Sequence, residues 1–378
     1  MNILITGGAG FIGSRLALKL AAAGHVVTVL DTLSPQIHGT DATFAPALAA
    51  AAHCVQGSVC DKTLLAGLLG AQEVIVHLAA ETGTGQSMYA VEHYSQVNLQ
   101  GTAVLLDIIV NQRPANLRKL VVASSRATYG EGAYHCEQHG LVYPAARTAA
   151  ALQAGQFEPT CPHCARPVEV RPTPESAPFA PSSFYGLTKQ VQEQMVLLFA
   201  ATLGIDGIAL RYQNVYGPGQ SLNNPYTGIL AVFSNLARQG KTINIFEDGE
   251  ESRDFVFVDD VVDATFACIK PEVRGVHALN VGSGVRTTVM QVAQAVVSHL
   301  KADVPVKVSG AFRLGDIRHN VADLTQLEQL TGFKPQVPFI TGLHQFLDWA
   351  LSQQADGGGY ERSLAELRER GLMGTGRA

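Results

Sequence analysis

The sequence predicts an α/β fold, a doubly wound parallel sheet with a smaller C-terminal lobe and a Cys/His-rich insertion. Three observations carry that prediction. A glycine-rich turn follows the first apolar run, and short apolar runs then alternate with helix-length stretches. The rhythm breaks between about residues 131 and 181, where cysteine, histidine and proline replace apolar periodicity.

Strand-like runs occupy residues 2–6, 26–30, 52–56, 73–78 and 118–124, with helical stretches such as 12–23, 61–70 and 98–112 between them. That alternation is the pattern of βαβ units in a parallel sheet covered on both faces. After the break a helix is expected near 183–202 and a strand near 207–211. Residues 1–130 with 182–212 then make one domain and 131–181 an insertion. Residues 213–350 are mainly a smaller lobe, with strands returning to the sheet, and 351–378 form a charged C-terminal helix and a loose tail. No internal repeat is visible.

Hydrophobic residues make up 47% of the 378 and charged residues 16%, a globular balance. The net charge of −5 gives no sequence-wide attraction to nucleic acid or an anionic membrane, so an anionic ligand needs local arginines. The apolar opening Met1-Asn2-Ile3-Leu4-Ile5 has no basic leader before its glycines and reads as a strand. Lys19, His25 and His53 interrupt the Ala-rich stretches before they can span a bilayer. Six cysteines without a secretory leader suggest thiols or metal ligands, and a cytoplasmic setting.

Residues Thr6-Gly7-Gly8-Ala9-Gly10-Phe11-Ile12-Gly13 follow a strand and open a helix. Without Cβ atoms at Gly7, Gly10 and Gly13, the backbone can turn tightly and approach a pyrophosphate at the helix N-terminus. Asp31 ends the second strand, where a carboxylate accepts from the adenosine ribose and repels a 2′-phosphate. No Arg or Lys lies between Asp31 and Asp41, so NAD is favoured over NADP. The first domain is therefore read as a Rossmann-type dinucleotide-binding domain.

Tyr185 and Lys189 in Tyr185-Gly186-Leu187-Thr188-Lys189 share one helical face. A nearby ammonium favours phenolate, and the tyrosine can then take a hydroxyl proton as hydride leaves the same carbon. Ser125, at the end of the strand at 118–124, stands where open α/β sheets bind ligands and can share a hydrogen bond with the phenol. In the insertion, Cys136-Glu137-Gln138-His139 and Cys161-Pro162-His163-Cys164 make two short knuckles. Cys136, His139, Cys161 and Cys164 meet the needs of tetrahedral structural zinc, with no open position for catalysis, in a zinc-ribbon-like arrangement. Guanidinium forks at Arg253 and Arg313 suit pyrophosphate oxygens, and Asp316 can accept from ribose hydroxyls.

These motifs, with His77-Leu78-Ala79-Ala80, Asn98 and Asn214-Val215-Tyr216-Gly217-Pro218-Gly219, resemble the NAD-dependent sugar epimerase/dehydratase family of extended short-chain dehydrogenases/reductases. The likeness runs from residue 1 to about 350, interrupted by the insertion. It implies further cofactor contacts from Phe11, Ile12, Ser58, Val59, Leu78, Ala79, Ala80, Asn98 and Tyr212, and a nucleotide sugar held largely by the C-terminal lobe. Substrate contacts are implied for Gln86, Ser87, Ser125, Arg126, Asn214, Asn244, Phe246, Arg253, Arg313 and Asp316. A homodimer is implied through paired helices. One departure is Ser58, where such enzymes usually carry an adenine-contacting aspartate.

The run Ser124-Ser125-Arg126-Ala127-Thr128-Tyr129-Gly130, the C-x-x-H-G and C-P-x-C knuckles and the Pro-rich lead into Tyr185 are similar to the dTDP-L-rhamnose 4-epimerases within that family. The expected reaction is 4-epimerisation of a dTDP-6-deoxyhexose through a transient 4-keto sugar. Alternatives are 4-epimerisation of a UDP-sugar, or net oxidation or reduction of a nucleotide sugar. Dehydration is disfavoured, because family dehydratases carry an Asp-Glu pair where Arg126 and Ala127 stand. An NAD-sensing scaffold has no need of Tyr185 and Lys189.

Overall fold

The computed structural model describes residues 1–222, 228–353 and 359–376. Seven strands form its main sheet: β1 (Asn2–Thr6), β2 (Val26–Asp31), β3 (His53–Gln56), β4 (Val74–His77), β5 (Lys119–Ser125), β6 (Asp206–Tyr212) and β7 (Val276–Val281). Their order is β7-β6-β5-β4-β1-β2-β3, every neighbour parallel. The order reverses between β1 and β4, which opens a crevice beyond their C-terminal ends.

The strands are runs of Val, Ile and Leu because helices cover both sheet faces. Ile3, Ile5, Val76, Val121 and Leu210 pack on one side beneath α1 (Phe11–Ala22) and α6 (Val258–Ile269). Leu4, Ile75, Leu120 and Val122 pack on the other beneath α2 (Lys62–Leu69), α3 (Gly101–Gln112) and α4 (Phe184–Leu203). A separate core in the C-terminal lobe joins α5 (Ile229–Arg238), α7 (Val289–Leu300) and α8 (Phe339–Leu351) to the strands Ile243–Ile245 and Ser252–Phe257. No helix among the described residues is long and apolar enough to cross a membrane.

Helix α4 has clear boundaries. The Ser183 hydroxyl accepts from Gly186 N–H at its start, and Gly204 ends it in the left-handed region at φ +68°. The helix expected over 98–112 is divided, with a π-helical turn over Ser95–Gln100 before α3. The wide turn presents Asn98 inward, fully buried. The insertion holds a three-stranded antiparallel sheet, Tyr134–Cys136 between Gly140–Val142 and Glu169–Val170. The chain end also differs from the expected loose tail. After the helix Gly359–Glu369, residues Met373–Thr375 pair antiparallel with Ala311–Arg313, so the backbone groups of 311–313 gain partners from distant sequence.

His77 closes β4 and is 2% exposed. The Thr102 hydroxyl donates to Asn98 carbonyl (2.6 Å), so it accepts from His77 Nε2 (3.0 Å), and Nδ1 accepts from Thr6 hydroxyl (2.8 Å). Burial, with Lys189 nearby, pulls the imidazole down to about 3. In the unfolded chain it protonates near its ordinary value of 6.5. Unfolded protein therefore binds the extra proton between these two pH values, and stability is lost as pH falls through that window. His77→Gln, which keeps an acceptor and a donor, should flatten the stability-versus-pH curve there by up to about 1.4 kcal/mol per pH unit, read by urea unfolding across pH 4–6.5. An unchanged slope would contradict the neutral imidazole.

Candidate active site

The crevice above the sheet switch point is a cavity of about 900 Å³. It brings together Gly7, Gly10, Phe11, Ile12, Gly13, Asp31, Ser58, Val59, Leu78, Ala79, Ala80, Ser125, Tyr185, Lys189 and Tyr212. Its floor is the glycine turn. A Cβ on Gly13 would lie 2.4 Å from the Gly7 carbonyl oxygen, and one on Gly7, at φ +69°, would lie 2.7 Å from Ala79 N. The turn thus sits directly on the segment after β4 and leaves the start of α1 open. No side chain caps that helix and no acid occupies its first turn, so its N–H groups and positive dipole end suit an anion. Asp31 accepts from Ala9 N–H and from Leu33 N–H, both at 2.9 Å, and so holds the turn while lining the cavity. These features fit an NAD diphosphate and ribose. Ser58 accepts from Cys60 N–H at 3.1 Å, which engages the hydroxyl that stands in place of aspartate.

At the other end, Ser125 and Tyr212 are register partners at the ends of β5 and β6. Ser125 stands near the Tyr185 phenol and accepts from Ala127 N–H at 3.2 Å. Burial pushes the Tyr185 phenol up, while Ser125 and the Arg126 guanidinium pull it down. Lys189 donates to Ala123 carbonyl at 3.0 Å, and its Nζ lies 6.0 Å from the Tyr185 ring centroid. Burial pulls this ammonium down to about 7. The cation that persists beside the phenol above that pH is Arg126, whose own guanidinium is drawn down to about 10 by burial and by Arg253. Sequence pattern singled out the lysine as the tuning charge; Arg126 adds a second.

Arg126 leads outward to the remaining residues. Its Nε donates to Asn214 at 2.7 Å, and Arg253 donates to Asp316 at 2.8 Å. Burial opposes ionisation of Asp316, yet Arg253, Arg313, Arg126 and Arg147 hold its carboxyl below the usual range. Arg313 lies 4.7 Å from the Phe246 ring centroid and stands near Tyr360. Asn244 is exposed on the strand Ile243–Ile245. Arg147 is balanced by Glu131 and Glu247, while Arg126, Arg253 and Arg313 outnumber Asp316, the carboxylate they share, which suits a diphosphate.

Asn98, Ser87 and Gln86 also lie outside the dinucleotide cavity and bond to the surrounding framework. Asn98 accepts from Glu81 N–H (2.8 Å) and donates to Glu81 carbonyl (3.1 Å) and Thr188 (2.9 Å), bracing the segment after β4 against α4. Ser87 is fully buried, accepts from Tyr185 N–H (3.0 Å) and donates to Thr84 carbonyl (2.7 Å). Gln86 exchanges amide hydrogen bonds with Gln36 at 3.1 and 3.2 Å. Sequence reasoning passed over Gln213, which lines the cavity at 5% exposure with neither side-chain amide atom hydrogen-bonded. Its place between Tyr212 and Asn214, both singled out, was the available signal.

The NAD-dependent epimerase/dehydratase family model matches residues 3–155 and 160–282. The chain belongs to the NAD-dependent epimerase/dehydratase family. It is 41% identical to a dTDP-L-rhamnose 4-epimerase of Burkholderia thailandensis over 94% of this chain and 96% of that one. It is 31% identical to a UDP-glucose 4-epimerase of Mycolicibacterium smegmatis over 92% and 98%. Among solved structures, the UDP-glucose 4-epimerase of Thermotoga maritima with UDP-glucose aligns with TM-score 0.73 at 28% identity, covering 93% of this chain and 99% of that one. That of Thermus thermophilus with NAD aligns at 0.72 and 25%, covering 94% and 100%.

Membership in this family makes the glycine turn testable through cofactor affinity. Gly13→Ala places a methyl group against Gly7 backbone, an overpacking cost of about 1–3 kcal/mol. NAD binding should weaken about tenfold or more by isothermal titration. Equal affinity would show that the close approach does not govern the site.

Proposed function

We propose that the chain is an NAD-dependent nucleotide-sugar 4-epimerase acting on a dTDP-6-deoxyhexose such as dTDP-L-rhamnose, through a transient 4-keto sugar. The observation that carries this reading is the placement of Arg126, beside the Tyr185 phenol on one side and the Arg253–Asp316 pair on the other. A proton-accepting phenol thus adjoins guanidiniums able to pair with a diphosphate, the two features a nucleotide sugar requires. The 41% identity to an enzyme named for this substrate supports the choice of sugar. Bound NAD supplies a hydride acceptor at C4 and returns the hydride in its reduced form.

The chain's own part is proton handling and alignment. Tyr185 as phenolate takes the C4 hydroxyl proton and gives it back to the product alkoxide. Ser125, near the phenol, orients the same hydroxyl, while Lys189 and Arg126 offset the charge that forms. Arg126 and Ala127 offer no acid/base pair for expelling a C6 hydroxyl, so the keto sugar has no route to dehydration at those positions.

Incubated with dTDP-L-rhamnose, the holoenzyme should form the C4 epimer (the talose form) without accumulating NADH, followed by NMR and absorbance at 340 nm. Preferred turnover of UDP-sugars would move the assignment to the UDP series, and stoichiometric NADH would indicate net oxidation. Tyr185→Phe should lower kcat by about 10²–10⁴-fold with NAD retained. Full activity in that variant would refute the assigned base.

The insertion is proposed to hold one structural zinc ion. Cys136 Sγ lies 3.7 Å from Cys164 Sγ and 3.7 Å from His139 Nδ1, and Cys161 Sγ lies 3.5 Å from His139 Nδ1. All four ligand atoms fall within 4.8 Å of one another. A tetrahedron built on Zn–S of ~2.3 Å and Zn–N of ~2.0 Å has edges of about 3.5–3.8 Å. Metal analysis should find about one zinc per chain, lost in Cys161→Ser. Zinc-free protein as purified would overturn the assignment.

We place the enzyme in the cytoplasm, a reading supported by six cysteines that stand as thiols or metal ligands and not as disulfides. A homodimer is proposed through α4, where Leu187 and Leu198 are 42% and 63% exposed at positions that share one helical face.

A further inference from the structure

We propose that the loop between the two knuckles, residues 140–160, positions the nucleotide-sugar site through Arg147 and Glu158, so that the clip sets substrate affinity. The inference rests on the function proposed above. The Arg147 side chain is 4% exposed and spends its guanidinium on four partners. Nε donates to Glu131 (3.0 Å), one Nη to Glu247 (2.8 Å) and Phe157 carbonyl (3.1 Å), and the other to Asp316 carbonyl (3.0 Å). These partners belong to three separate parts of the site. Glu131 follows the turn that carries Ser125 and Arg126. Glu247 is next to Phe246, and Asp316 is the carboxylate paired with Arg253.

A second guanidinium completes the frame. Arg318, 1% exposed, donates to Glu158 (2.7 and 2.6 Å), Glu247 (3.0 Å) and Asp248 (2.7 and 2.8 Å), and its N–H to Glu131 (2.7 Å). Glu158 thereby fixes the segment after Asp316 from the insertion side, and also contacts His319 at 3.2 Å. Glu247 sits at φ +47°, a left-handed conformation that a non-glycine residue keeps only when its surroundings impose it. The two arginines on its carboxylate supply that constraint. Leu152 and Phe157 add an apolar contact with Phe312, on the strand that carries Arg313.

The knuckles stand at the two ends of this loop. Ligand atoms from residues 136 and 139 on one side and 161 and 164 on the other lie within 4.8 Å. Closing a loop there lowers the entropy lost when Arg147 and Glu158 reach their partners. Glu131, Glu247, Asp316 and Arg318 are not among the residues that line the dinucleotide cavity, so the effect falls on the sugar nucleotide and not on NAD.

The test uses full-length holoenzyme and dTDP as the calorimetric probe, beside steady-state kinetics with dTDP-L-rhamnose. Arg147→Ala should weaken dTDP binding and raise KM about tenfold or more, with kcat within about threefold and NAD affinity unchanged. Arg147→Lys, which keeps the charge but cannot reach four partners, should recover only part of the loss. Glu158→Gln, at a side chain 55% exposed and so a milder change to the fold, should shift dTDP affinity and KM in the same direction. Folded Arg147→Ala with unchanged dTDP affinity and KM overturns the proposal. If that variant does not fold, unchanged values in Glu158→Gln overturn it. Wild-type protein that binds neither dTDP nor UDP would instead defeat the proposed function, which separates the two failures.

Discussion

The active-site geometry depends on burying one ammonium. Lys189, 2% exposed, points into the sheet's C-terminal edge and donates to the Ala123 carbonyl. A charge there is costly, as its fall to about 7 records, and it stays in place because α4 is held rigidly against β5. Gly186 permits that approach, since a Cβ at this position would lie 2.4 Å from the Ala127 carbonyl oxygen. Thr188 accepts from Asn98 and donates to the Tyr185 carbonyl, and Ser87 receives the Tyr185 N–H. One turn further, Glu193 accepts from Ser124 at 2.6 Å and from Arg211, which also donates to Tyr129. The inward face of α4 is thus a polar ladder inside a hydrophobic sandwich, and each rung fixes the height of the phenol above Ser125.

Charge persistence separates the two cations near that phenol. A lysine drawn to about 7 changes protonation within the physiological range, whereas Arg126, even drawn to about 10, does not. The arginine therefore supplies a constant field and the lysine a field that depends on pH and on what fills the cavity. This division follows from chemistry: guanidinium spreads its charge and tolerates partial desolvation better than ammonium. It also gives Arg126 two roles in space, one toward the phenol and one toward the Arg253–Asp316 pair.

Short-range pattern made much of this legible. The strands, the glycine turn, Asp31 and the Tyr185/Lys189 spacing are local signals, written within a few residues by periodicity or by the absence of Cβ atoms. The four clip residues were legible for the same reason, as two knuckles of fixed spacing. Asn98 and Ser87 were picked from a family likeness, but their hydrogen bonds to Thr188 and Tyr185 N–H arise from tertiary packing. The framework of Arg147, Glu131, Glu247 and Arg318 has no local signature at all. Its members are up to 187 positions apart, and any one alone reads as a surface charge. The same holds for the pairing of 373–375 with 311–313, where a polar chain end gave no strand pattern.

The insertion lies between the strand bearing Ser125 and the helix bearing Tyr185, so slack within it would reach both side chains unless its two ends were joined. They are joined. Ala180 N–H donates to Thr128 carbonyl at 2.9 Å, Arg171 N–H to Ala133 carbonyl at 2.9 Å, and Ala133 N–H to the Thr173 hydroxyl at 3.0 Å. The Thr173 N–H in turn donates to Val321 carbonyl at 2.8 Å. These bonds close the insertion at its base before the chain reaches the knuckles, which insulates the Ser125–Tyr185 distance from motion further out. The far loop reaches the rest of the protein through Arg147, Glu158 and the packing of Leu152 and Phe157 on Phe312, and these contacts meet the residues around Asp316, Phe246 and Arg313. On the function proposed here, an insertion built this way changes how tightly substrate is held while the joined base keeps Ser125 and Tyr185 in place.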